Sequence, residues 1–251
     1  MDEFQQQRVA LKVRIRRRGI YLLPNLFTTA ALFAGFYAIV QAMNQRFEHA
    51  AVAIFIAMVL DGLDGRVARM TKTQSAFGAE YDSLSDMVSF GAAPALVVYE
   101  WALKGMGKMG WLAAFVYVAG AALRLARFNT QLEVADKRFF QGLPSPSAAA
   151  LVAGFVWIGH DYGLQVADIK WFAFSVTLLA GLIMVSNLRY YSGKNINLRK
   201  SVPFMMIAAI ALGFALLSWD PPTVLFAGFV VYALSGFFAS GWDYLRRRSR
   251  G

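Results

Sequence analysis

Cysteine is absent from the 251 residues, which excludes disulfides, thiol catalysis and cysteine-ligated zinc sites. Charge is scarce too: 16% of residues are charged, against roughly a quarter in an ordinary soluble domain. Histidine occurs only at His49 and His160. No polar tract is long enough to form a separate soluble domain. The N-terminus, MDEFQQQRVALKVRIRRRGIYLLP, has no small-residue cleavage site after a short apolar region, so no removable signal peptide is expected. What the chain has in abundance is apolar sequence, 58% of all residues. This composition belongs to a membrane protein.

Eight runs approach the ~20 residues that a spanning helix needs: 22–43, 48–70, 77–103, 109–130, 146–160, 168–189, 201–218 and 223–244. The fifth is the shortest, and a re-entrant or core helix is an alternative there. The expected fold is all-α, a polytopic helical bundle in one membrane domain over 21–245. A basic juxtamembrane segment, 1–20, precedes it and a basic tail, 246–251, follows. With eight alternating helices and both termini in the cytoplasm, 21 of the 25 Lys and Arg residues fall on the cytoplasmic side. That asymmetry follows the positive-inside rule and accounts for the net charge of +10 without nucleic acid. The alternating basic and apolar residues from Arg8 to Arg18 suit either a segment lying on anionic headgroups or a plain orienting charge cluster.

Against this background the stretch LDGLDGRVARMTKTQSAFGAEYDSLSDMVSFG, residues 60–91, is anomalous, because it carries four aspartates. One carboxylate placed in a bilayer already costs several kcal/mol. Asp61, Asp64 or Gly65, Ala68 and Arg69 recur every three to four residues and share a face of the second helix. Gly78, Asp82 and Asp86 are each four apart and share a face of the third. Both faces converge near the cytoplasmic boundary. Four carboxylates at this spacing cannot all stay ionised without compensation, and Arg66 and Arg69 supply at most two positive charges. Divalent metal resolves the imbalance, and an all-oxygen ligand set selects Mg²⁺ or Mn²⁺, with two ions bridged by four carboxylates. Gly62, Gly65, Ala68 and Gly78 remove bulk where a ligand must approach, although small residues also serve ordinary helix packing. His49 and His160 fall at the opposite membrane side, so general-base work falls to a carboxylate.

The same residues fit without a gap the pattern D-G-x2-D-G-x2-A-R-x8-G-x3-D-x3-D, running from Asp61-Gly62 through Asp64-Gly65, Ala68-Arg69, Gly78 and Asp82 to Asp86. By this pattern the chain resembles the CDP-alcohol phosphatidyltransferase family. PNLFTTAALFAGF, YDSLSDMVSFGAAPA, RLARFN and GLPSPSAAA further resemble its bacterial and archaeal phosphatidylserine-forming branch. The resemblance covers roughly residues 20 to 155. It implies CDP-diacylglycerol and L-serine as substrates, phosphatidylserine and CMP as products, and a homodimer in the cell membrane. It makes Asp61, Asp64, Asp82 and Asp86 metal ligands, with Asp86 also the general base. Arg69 would hold a phosphate oxygen, and Gly62, Gly65, Ala68 and Gly78 would border the nucleotide. Asn25 and Thr28, of PN-x-x-T, are expected either to contact the nucleotide or diphosphate or to cap the first helix after Pro24. Arg124 and Arg127, one turn apart, form a fork suited to a carboxylate or phosphate. Ser85, Ser89 and Asn129 are the remaining candidates for the serine pocket, and Pro144 and Pro146 suit a stiffened loop and helix start.

Two rivals bear on the same residues. A sibling enzyme using glycerol 3-phosphate or inositol phosphate would want a richer basic pocket, for which Arg124, Arg127, Lys137 and Arg138 are available. A cation transporter would show polar residues along a mid-membrane path, often in repeated halves. Residues 140–251 contain no second acidic face, which argues against transport.

Overall fold

The computed structural model describes residues 24–71, 73, 75–131, 139–192 and 204–248. The basic segment 1–20, Lys137, Arg138 and the last three residues lie outside these. The described chain is mostly helical. It runs α1 (Pro24–Met43), α2 (Phe47–Thr71), α3 (Ala76–Asp86), α4 (Ala93–Val98), α5 (Lys108–Gln131), α6 (Ser145–Asp161), α7 (Val166–Val185), α8 (Phe204–Trp219) and α9 (Pro221–Arg248). The expected run 77–103 is one nearly continuous rod. Wide π-type turns over Met87–Ala92 and Tyr99–Leu103 flank α4 within it. Pro94 gives a physical reason for the first turn, since it has no N–H to return to the Phe90 carbonyl four residues earlier. The buried Tyr117 hydroxyl on α5 donates to that carbonyl instead, at 3.0 Å.

Among the described residues, four helices are long and apolar enough to cross a membrane: Pro24–Met43, Lys108–Thr130, Val166–Val185 and Pro221–Ser240. The acids in α2, the breaks around α4 and the 16 residues of α8 keep those elements out of that set. α6 is a core helix. Its Ala148, Ala149, Ala150, Val152 and Val156 are all fully buried, against α2, α7 and α9. Alanine and glycine let the helices approach closely. A Cβ on Gly120 of α5 would collide with the Gly181 carbonyl oxygen of α7. Large apolar side chains such as Phe33, Ile56, Phe115, Leu179 and Phe214 cover the outside, as lipid contact requires.

Two short strands depart from the all-α expectation. β1 (Phe139–Gln141) pairs antiparallel with β2 (Arg189–Tyr191), Phe140 opposite Tyr190. Tyr190 is buried, and its hydroxyl donates to the Ala233 carbonyl of α9 at 2.9 Å. The C-terminal helix is thereby tied to the chain on either side of α6 and α7. α9 continues through Arg248, so the first residues of the supposed tail extend a helix.

Candidate active site

Chain direction brings the C-terminal ends of α2, α5 and α7 to the same end of the bundle as the N-terminal ends of α1, α3 and α6. His160 stacks edge-on against Phe47 at the far end, 6.0 Å between ring centres, so histidine is remote from the acids as expected. α2 presents Asp61 and Asp64 to the face of α3 that carries Asp82. One carboxylate oxygen from each of the three lies within 4.8 Å of the others. Asp86 lies one turn beyond Asp82 on α3. Its carboxyl faces Asp61, while Asp64 and Asp82 face each other.

The donors around the cluster are few. Thr28 of α1 donates its hydroxyl proton to Asp64 Oδ2 at 2.7 Å, with the Pro24 carbonyl as the weaker alternative acceptor at 3.2 Å. Thr28 is therefore no helix cap: it reaches across to α2 and orients a buried carboxylate. Asp82 Oδ1 is buried with no hydrogen-bond partner among the described residues. Two carboxyl groups can face one another only with a proton or a cation between them. Two such pairs, an orphaned oxygen and an all-oxygen donor set fit a hard divalent cation.

A cleft of about 230 Å³ opens beside the acids. Asn25, Thr28, Asp64, Gly65, Ala68, Arg69, Gly78 and Asp82 line it, so most of the expected nucleotide and metal residues meet in one place. Gly62 stands just outside, and a Cβ there would touch nothing. At Gly78 the Cβ would press on the Asn25 side chain at 3.5 Å and on Ser75 Oγ at 3.1 Å. Arg69 is exposed and makes no hydrogen bond among the described residues, so its guanidinium is free to meet an anion. Sequence reasoning missed Thr73, Ser75 and Ala79 on the cleft wall. Ser75 had a legible signal. It stands just ahead of α3 and caps it, accepting from the Gly78 N–H at 3.0 Å.

The expected acceptor residues do not stay together. Arg124 is 9% exposed, donates to Ser145 Oγ at 2.6 Å and has Asp86 and Asp61 among its charged neighbours. Arg127 turns away and caps the end of α7, donating to the carbonyls of Val185 (2.9 Å) and Ser186 (3.3 Å) and to Asn187 Oδ1 (3.4 Å). Ser85 and Ser89 spend their hydroxyl protons between helices, donating to the carbonyls of Thr28 (3.1 Å) and Ala31 (3.0 Å) on α1. Asn129 pairs with Ser83 at 2.9 Å. Of the five, only Arg124 faces the acids.

Known proteins share this arrangement of sequence. A Helicobacter pylori protein named CDP-diacylglycerol–serine O-phosphatidyltransferase is 37% identical over 195 residues, covering 78% of this chain and 82% of that one. A Mycobacterium tuberculosis protein of the same name is 32% identical over 224 residues, covering 86% and 78%. A Methanocaldococcus jannaschii protein, also of that name, is 37% identical over 137 residues, covering 55% and 61%. A family model described as CDP-alcohol phosphatidyltransferase matches residues 21–185, the span from α1 to the end of α7. With the acid cluster and its cleft inside that span, the chain belongs to the CDP-alcohol phosphatidyltransferase family.

Proposed function

We propose that the protein transfers the phosphatidyl group of CDP-diacylglycerol to the hydroxyl of L-serine, releasing CMP. The observation that carries this reading is the gathering of Asp61, Asp64 and Asp82 around one point beside a cleft lined by Arg69, Gly65 and Gly78. The choice of serine is supported by the names of the relatives, from bacteria and an archaeon alike.

Asp61, Asp64 and Asp82 would hold the divalent ions, with Asp86 within reach of the same site. Mg²⁺ or Mn²⁺ bound there supplies neutralisation of the diphosphate and of the charge that builds on departing CMP. Thr28 keeps the Asp64 carboxylate in one orientation. Arg69 takes a phosphate oxygen, and Asn25, Gly62, Gly65, Ala68 and Gly78 border the nucleotide. The serine hydroxyl oxygen forms a bond to the lipid-side phosphorus, and the bond from that phosphorus to the CMP oxygen breaks. The hydroxyl proton passes to Asp86, the carboxylate nearest Arg124 in the cluster, because histidine and cysteine are unavailable at this end.

The setting belongs to the same proposal. Eight helices, α1, α2, the rod from α3 through α4, and α5 to α9, lie across the cell membrane. The site faces the cytoplasm, both termini are on that side, and the protein works as a homodimer among membrane lipids. Purified protein given CDP-diacylglycerol, L-serine and Mn²⁺ should release CMP and form phosphatidylserine, and excess chelator should stop both. Full turnover in chelator would reject the metal reading.

A further inference from the structure

Ser145 is the first residue of α6 and is completely buried. It lies between Pro144 and Pro146, whose rings fix the backbone on both sides. The turn leading to it is pinned as well. The Gly142 N–H donates to the Leu188 carbonyl at 2.8 Å and the Leu143 N–H to the Ile183 carbonyl at 3.2 Å. Gly142 itself has φ +75°, and a Cβ there would meet the Met184 carbonyl oxygen, so no larger residue fits. The Ser145 hydroxyl is therefore held rigidly, and it takes a 2.6 Å hydrogen bond from Arg124 Nη1. Arg124 Nε is buried without any partner among the described residues. A buried guanidinium with an unused donor is costly unless something arrives to use it.

We propose that Ser145 is a positioning residue for the transfer reaction: it locks Arg124 so that the remaining guanidinium donors await the carboxylate of the incoming amino acid beside Asp86. The proposal rests on the acceptor reading above. Arginine donors lie in a rigid plane, so fixing Nη1 fixes the direction of all the others. A serine hydroxyl on a pinned helix start does this with the least volume.

The test uses the full-length protein in detergent, with Ser145→Ala removing the acceptor oxygen and Ser145→Thr keeping it. Steady-state CMP release gives KM for L-serine and for CDP-diacylglycerol separately, and calorimetry gives L-serine binding in the presence of Mn²⁺. Ser145→Ala should weaken L-serine in both measurements by about tenfold or more, the effect of misaligning one charged hydrogen bond. Its KM for CDP-diacylglycerol and its Mn²⁺ requirement should be unchanged, and Ser145→Thr should restore serine use. Unchanged serine KM in Ser145→Ala, or parallel loss of both substrates without rescue by threonine, overturns the proposal. If the wild type uses a phosphorylated acceptor instead, the serine reading fails on its own. The same variants measured with that acceptor then judge Ser145 separately, because its anionic group would meet the same arginine.

Discussion

Thr28→Val isolates what one hydroxyl does for the acid cluster. The substitution keeps side-chain volume and removes the 2.7 Å bond to Asp64 Oδ2, a carboxylate only 5% exposed. A hydrogen bond to a charged group contributes about 1.5–3 kcal/mol. Removing an orienting partner of a metal-ligating group typically costs 10–100-fold in metal affinity, which is about the same energy. The apparent Mn²⁺ affinity, read from the metal dependence of CMP release, should therefore fall by roughly 10–100-fold. Thr28→Ser keeps the hydroxyl and should behave like the wild type. Melting in detergent without metal separates loss of fold from loss of metal. A valine variant with wild-type Mn²⁺ dependence would refute the claim that Thr28 orients a metal ligand.

Asp86→Asn should lower kcat by ~10²-fold or more, as expected for a general base, with CDP-diacylglycerol binding retained; parallel collapse of binding would make Asp86 a metal ligand instead. Arg127→Ala should reduce stability by about 2 kcal/mol through the freed carbonyls at the end of α7 and leave the serine KM unmoved, as denaturant melts and kinetics together would report. For topology, cysteine at Met70, 84% exposed at the acid end of the bundle, should be protected from an impermeant thiol reagent in intact cells. Cysteine at Lys104, exposed at the opposite end, should be labelled, and the reverse pattern would invert the orientation.

The acid cluster was legible because helical periodicity alone puts Asp61 with Asp64 and Asp82 with Asp86, and a turn as short as Lys72 to Ser75 must bring the two faces together. The acceptor side was not. Arg124 and Arg127 share a stripe by spacing, yet the ~100° per residue of a helix leaves them about 60° apart. That angle was enough to send one to Ser145 and the other to α7. Ser85 and Ser89 looked like pocket residues because they are polar near the membrane boundary. Their hydroxyls instead satisfy α1 carbonyls, at a contact so close that a Cβ on Gly35 would strike Ser89. Sequence periodicity describes one helix at a time and is silent about which neighbour arrives. The strands escaped for the same reason, since Phe139–Gln141 and Arg189–Tyr191 are each three residues long and pair across the intervening α6 and α7.

The most direct measurement is a competition among acceptors. Purified protein is given CDP-diacylglycerol, Mn²⁺ and equal concentrations of L-serine, glycerol 3-phosphate and inositol phosphate, and the lipid products are resolved by mass spectrometry. Phosphatidylserine should dominate, and it should disappear with Asp82→Asn. A phosphorylated lipid product as the main species, or phosphatidylserine made equally well without Asp82, would contradict the account.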